Sequence, residues 1–265
     1  MAFRDILYRF LLAVCALILL SCNKIPETPP APLFNSADLF LLIGQSNMEG
    51  EAPVNEDDDE TISGVWLLNT AGAFVPATGR INIYSSIRFQ GTPKYGLGAS
   101  FAKTIHEKTG NDIALVSNAR GGTNIAQWKK GSGFDFYEEA VRRTKEAMSV
   151  PGVTLKAILW HQGEGDSGRH NLKDYYIGEL TEIINDFRKD LGVENLPFIV
   201  GEIGYRYVNA TKFNSFIWDI SSYIDNTACA SAQGCALQSD NTHFSRMGYD
   251  LLGERYADLA YEMAY

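Results

Sequence analysis

Leu39 to Ile43 read Leu-Phe-Leu-Leu-Ile, and the run stops abruptly on Gly44-Gln45-Ser46-Asn47-Met48. Five consecutive apolar residues closed by glycine predict a short strand buried on both faces. Strands of that kind occur where helices cover both sides of a parallel sheet. Three further runs rich in Val, Ile, Leu or Phe share the pattern, at 112–118, 155–161 and 197–202. Helical spacing falls between and after them, at 98–108, 134–148, 175–191, 214–224 and 245–261. The alternation predicts an α/β fold with a central, mostly parallel sheet. One stretch breaks the rhythm: 65–69 and 74–77 are separated by Thr-Ala-Gly-Ala and predict a small hairpin inserted after the first strand.

The 265 residues suit one large domain, and 45% hydrophobic composition is enough for its core. A formal net charge of −9 argues against a nucleic-acid partner. The acidic run 56–60 lacks the spaced ligands and glycine of a calcium loop and reads as a solvated turn.

In open parallel sheets, ligands bind beyond the carboxyl ends of the strands. Ser46 stands just past the first such end. A serine hydroxyl needs a base to take its proton, and histidine suits that task near neutral pH. Of the four histidines, His106 falls on a helix beside Lys103 and Glu107, His170 in a polar loop and His161 at a strand end. His243 is left as the base. Asp240, three residues before it, can hold the other ring nitrogen.

Acyl transfer also needs donors aimed at the developing oxyanion. Asn118-Ala119-Arg120-Gly121-Gly122-Thr123 follows the second run, and its paired glycines can expose backbone N–H groups. Trp160-His161-Gln162-Gly163-Glu164-Gly165-Asp166 follows the third, where Gln162 offers an amide donor and Glu164 a second carboxylate.

The ordered set Gly-Gln-Ser-Asn-Met, Gly-Gly-Thr, His-Gln-Gly-Glu and Asp-x-x-His resembles the SGNH-hydrolase superfamily. Within it, the set is similar to the sialate O-acetylesterase and acetylxylan esterase branch of the carbohydrate esterases. The resemblance covers about residues 38 to 262. It implies a three-layer flavodoxin-like fold and ester hydrolysis without metal or other cofactor. It also implies that Ser46 is the nucleophile, His243 the base and Asp240 its partner. The N–H groups of Ser46 and of Gly121 or Gly122 would form the oxyanion hole, and Gln162 replaces the asparagine that names the superfamily. In relatives the residue matching Glu164 can lie near the histidine as a second carboxylate. On the substrate side, Trp128 could stack on a sugar ring or pack in the core. Arg120 could steer a substrate carboxylate or make a structural ion pair.

These expectations add up to a carbohydrate O-acetylesterase acting on acetylxylan or O-acetylated sialic acid. The alternatives are an inactive carbohydrate-binding protein on the same scaffold and a generic short-chain esterase. The absence of a long apolar lid segment argues against a lipase.

At the N-terminus, Arg4 and Arg9 precede an apolar stretch from Phe10 to Leu20 that is too short to span a bilayer. Leu19-Leu20-Ser21-Cys22 then resembles a bacterial lipobox. The expectation is a signal peptide at 1–21, lipid attachment at Cys22, a proline-rich tether at 22–36, an esterase domain at 37–265, and residence at the cell envelope. Cys229 and Cys235 flank Ala-Ser-Ala-Gln-Gly and are expected to pair as a disulfide in an oxidising compartment. Two cysteines with so few histidines do not make a zinc site.

Overall fold

The first strand, β1 (Ala37–Gly44), is buried at every position. Leu39, Leu41 and Ile43 enter one hydrophobic cluster; Phe40 and Leu42 enter another on the opposite face. That two-sided burial is the physical content of its unbroken apolar sequence. The computed structural model describes residues 34–89 and 91–265, and the signal peptide, Cys22 and most of the tether fall outside them.

Six more strands join β1. They are β2 (Val65–Leu68), β3 (Phe74–Pro76), β4 (Asp112–Ser117), β5 (Val153–His161), β6 (Phe198–Gly201) and β7 (Thr227–Ala230). The sheet order is β3-β2-β4-β1-β5-β6-β7, parallel throughout except for the β2–β3 pair. The helices are α1 (Ser46–Glu49), α2 (Leu97–Thr109), α3 (Phe136–Met148), α4 (Leu172–Leu191), α5 (Ala210–Ile217) and α6 (Arg246–Ala264). Residues of α2 and α6 pack with Phe40 and Leu42; those of α3, α4 and α5 pack with Leu39, Leu41 and Ile43. The result is the expected three-layer α/β arrangement.

Two elements differ from the sequence expectation. The 65–77 hairpin is no separate insertion, because β2 pairs in parallel with β4 and extends the main sheet. The helix expected at 214–224 begins earlier, at Ala210, and ends at Ile217. Phe34, expected in the tether, is buried, with its ring 5.6 Å from Trp66 and 5.5 Å from Phe74. The folded body therefore starts a few residues before Ala37.

The expected Cys229–Cys235 disulfide is absent, and both side chains are buried thiols. The reason lies in the sheet. Cys229 belongs to the cluster on the α3–α4–α5 side, whereas Cys235 belongs to the cluster on the α2–α6 side. Five residues of loop bring the two close in sequence while the sheet separates their environments. Burial pushes both thiols up, Cys235 to about 11, which keeps it a neutral, unreactive thiol.

One glycine positions everything that follows. Gly44 has a φ of +141°, and a Cβ there would lie 2.2 Å from the His161 carbonyl oxygen. Only glycine lets β1 end this close to β5. The Gln45 N–H then donates to that same carbonyl at 2.9 Å, and the chain turns into α1 with Ser46 as its first residue.

Candidate active site

Ser46 stands at the start of a four-residue helical turn, so its backbone N–H has no intrahelical acceptor. Its side chain opens into a cleft of about 640 Å³, lined also by Glu49, Arg88, Phe89, Gly121, Gly122, Tyr207 and His243. His243 arrives from a tight loop between β7 and α6. Asn241 takes a left-handed conformation there (φ 57°), and Asp240 Oδ1 accepts from the N–H groups of Thr242 (2.9 Å) and His243 (3.0 Å). This Asx turn aims both side chains the same way. Asp240 Oδ2 lies 2.7 Å from His243 Nδ1, and His243 Nε2 lies 2.9 Å from Ser46 Oγ. Desolvation alone would raise the Asp240 pKa. The two backbone donors and the His243 ring outweigh it and hold the carboxyl at about 2. Asp240 is therefore ionised at any working pH, as a group that stabilises an imidazolium must be.

Ser46 and His243 are 197 residues apart in sequence, and Asn47 sets the distance between them. Asn47 is fully buried. Its Nδ2 donates to the Thr242 carbonyl at 3.0 Å, and its Oδ1 accepts from the Phe244 N–H at 3.2 Å and from the Tyr249 hydroxyl at 2.9 Å. The residue after the serine thus grips the chain on both sides of the histidine.

A hydroxyl, an imidazole and a carboxylate in line at the floor of an open cleft can carry out nucleophilic acyl transfer. The family profile described as "Carbohydrate esterase, sialic acid-specific acetylesterase" matches residues 36–262. The chain belongs to this family of carbohydrate esterases. It is a carboxylic ester hydrolase.

Among its relatives, a probable carbohydrate esterase of Arabidopsis thaliana is 29% identical over 233 residues, which is 81% of this chain and 86% of that one. The X-ray structure of an Arabidopsis thaliana protein superimposes with a TM-score of 0.76 at 27% identity, covering 88% of this chain and all (100%) of that one. The crystal structure of NanS shares the fold with a TM-score of 0.68 at 15% identity, over 88% of this chain and 98% of that one. A carbohydrate acetylesterase from Xanthomonas citri gives a TM-score of 0.62 at 19% identity, over 86% of this chain and 57% of that one.

The esterase places several of the other sequence candidates away from the substrate side. Glu164 is buried and makes no hydrogen bond to His243. Its Oε2 accepts from Gln45 Nε2 and its Oε1 from Asn47 Nδ2, each at 2.6 Å. Burial pushes its pKa up against the pull of its own backbone N–H and then of Asn47. Glu164 therefore braces the two residues that flank Ser46, and its hydrogen-bonded link to the histidine loop runs through Asn47.

Gln162 is no oxyanion donor. Its Nε2 is directed to Asp166 Oδ2 (2.8 Å) and the Thr123 carbonyl (3.1 Å), and its Oε1 lies 2.8 Å from the Tyr176 hydroxyl. Both ends of the amide are committed within the protein. Trp128 cannot stack on a sugar, because it is completely buried with its indole N–H on Thr123 Oγ1 at 3.0 Å. Its neighbours are Phe136 and Trp160 rather than the cleft.

Among the described residues Arg120 makes no ion pair, and it does not line the cleft. It donates to the Ile87 carbonyl at 2.6 Å, and its guanidinium lies 3.9 Å from the Phe89 ring centroid. Phe89 is the exposed aromatic that does line the cleft, and sequence inspection passed over it. The acidic run is also more than a solvated turn: Asp58 is buried and forms an ion pair with Arg246 of α6, Oδ2 to Nη1 at 2.7 Å.

Gly121 does reach the site. A Cβ on it would lie 3.4 Å from Ser46 Cβ, so its backbone passes close beside the serine. Among the described residues, no group of three or more His, Cys, Asp or Glu side chains is placed to hold a metal ion.

Proposed function

We propose that the protein removes O-acetyl groups from a glycan through an acyl-enzyme. The observation that carries this reading is the alignment of Asp240 Oδ2, His243 Nδ1, His243 Nε2 and Ser46 Oγ, at 2.7 and 2.9 Å, beneath an open cleft. In the first half-reaction, Ser46 Oγ bonds to the acetyl carbonyl carbon while His243 Nε2 takes the hydroxyl proton. The carbonyl oxygen becomes an oxyanion beside the N–H groups of Ser46 and the 121–122 loop. Collapse breaks the ester bond, and the sugar oxygen leaves with the proton from His243. In the second half, a water gives its proton to His243 and attacks the acetyl-serine. Acetate departs, and Ser46 regains its proton.

The open cleft supports a small acyl group on a bulky alcohol. The acetyl needs only a few fixed donors, and the sugar can remain outside against Phe89 and Tyr207. Acetylated xylan and O-acetylated sialic acid are the two substrate classes to compare. The N-terminal pattern ending in Cys22 supports attachment to the cell envelope by lipid, which an acyl mass on Cys22 would establish.

The test is acetate release from acetylated xylan oligosaccharides, O-acetyl sialic acid and 4-nitrophenyl acetate, with 4-nitrophenyl octanoate as the long-chain control. The wild type should hydrolyse at least one acetylated sugar and should prefer acetate to octanoate. Ser46→Ala should lose about three or more orders of magnitude in kcat with an unchanged melting temperature. Comparable turnover of octanoate, or near-normal turnover by Ser46→Ala, would overturn the reading.

A further inference from the structure

Glu49 is the last residue of α1, three positions after Ser46, and its side chain shares the cleft with the serine. Its Oε2 accepts from the Gly121 N–H at 2.6 Å. The same oxygen would lie 3.2 Å from a Cβ on Gly121, and Ser46 Cβ would lie 3.4 Å from it. A carboxylate oxygen therefore sits where the 121–122 loop passes the nucleophile, on a donor suited to an anionic oxygen.

We propose that Glu49 is a displaceable occupant of the oxyanion site. Its carboxylate rests on the Gly121 N–H, and the acyl carbonyl oxygen must take that donor from it before the ester reacts. The inference rests on the acyl-transfer reading above.

The simpler role, a brace for the loop, is not needed. The loop is already fixed by the Asn118 N–H on the Leu42 carbonyl (2.9 Å), the Ala119 N–H on Asn82 Oδ1 (3.1 Å) and the Arg120 N–H on the Gly44 carbonyl (3.0 Å). Nor is Glu49 held by a cation. Arg88 and Arg120 both face it, but Arg88 donates to the carbonyls of Ile83, Phe89 and Gly91, and Arg120 to that of Ile87. With two guanidinium groups nearby, the carboxylate is bonded, among the described residues, to a single backbone N–H instead.

The other titratable groups around it are Glu51, itself paired with Lys94, and His243 and Glu164 across the cleft. Burial raises the Glu49 pKa, opposed first by the Gly121 hydrogen bond and reinforced by Glu51. Its neutral form therefore gains population at higher pH than that of a free carboxyl. Once displaced, the carboxylate can turn toward Arg88.

The competition should be legible in kinetics. Compare kcat/KM for an acetyl ester between pH 5 and 8 in wild type, Glu49→Ala and Glu49→Gln, with melting temperatures to verify folding. A charge-assisted hydrogen bond on a donor needed in the transition state should slow the wild type about tenfold. Glu49→Ala should therefore be about tenfold faster than wild type at pH 8. The gap should close toward pH 5, as protonation removes the charge from Glu49 in the wild type. Glu49→Gln keeps the size without the charge and should also be faster at pH 8, by less. If both folded variants fell below wild type by the same factor at every pH, Glu49 would be a brace and the proposal would fail. Three superimposable profiles would also overturn it. Failure of the acyl-transfer reading has a different signature, namely turnover surviving in Ser46→Ala.

Discussion

Asp240 and Glu164 are two carboxylates near one histidine, in opposite surroundings. Asp240 sits in a largely exposed loop, accepts three hydrogen bonds from Thr242 and His243, and is held at about 2. Glu164 is buried at the end of β5, accepts from two amides, and has its pKa raised by burial. Environment rather than residue type assigns the tasks. The exposed carboxylate contacts the imidazole, while the buried one holds Gln45 and Asn47 on either side of Ser46. Asn47 joins the regions, with one amide group reaching Glu164, the Thr242 carbonyl and the Phe244 N–H.

Asp240→Asn should break the comparison most sharply. It leaves the shape and removes the charge that stabilises the imidazolium, so kcat should fall about 10³–10⁴-fold with little change in melting temperature. Stopped-flow or steady-state rates with 4-nitrophenyl acetate would measure this. Asn47→Ala comes next. Losing its grip on residues 242–244 also leaves Glu164 one donor short in the interior. Both kcat and stability should drop, kcat by about 10² if the serine–histidine distance loosens, and the melting curve should shift with it.

Glu164→Gln should have the smallest effect, about tenfold in kcat, because Glu164 acts through Asn47. A larger loss at Glu164 than at Asp240 would move the orienting role to the buried carboxylate. A collapse seen only in the double variant would mean that the two share it.

The same contrast explains what the sequence could disclose. Four buried strands were legible because each is a short apolar run ending in glycine or polar residues. β7 was not, since Thr-Ala-Cys-Ala has no such run and becomes a strand by pairing with β6. Ser46, His243 and Asp240 were legible as residue types at loop positions, and the Asx turn lies within four residues. The amide network was not. Gln45 and Asn47 meet Glu164 across 119 and 117 positions, and no local pattern marks that meeting. Gln162 was misread as an oxyanion donor, and for Trp128 the core-packing alternative holds, for the same reason: each stands next to a site loop, yet its side chain turns inward to Asp166 and Thr123. The cysteine spacing likewise carried no information about which face of the sheet each thiol would join.

The central claim is that Ser46 is the group that takes the acyl chain, driven by His243. Treating the protein with a fluorophosphonate and mapping the adduct by peptide mass spectrometry tests it most directly. The account predicts one phosphonyl group per chain, on the peptide containing Ser46, with labelling slowed at least about a hundredfold in His243→Ala. A label on another residue, or equal labelling of Ser46 with and without His243, would contradict it.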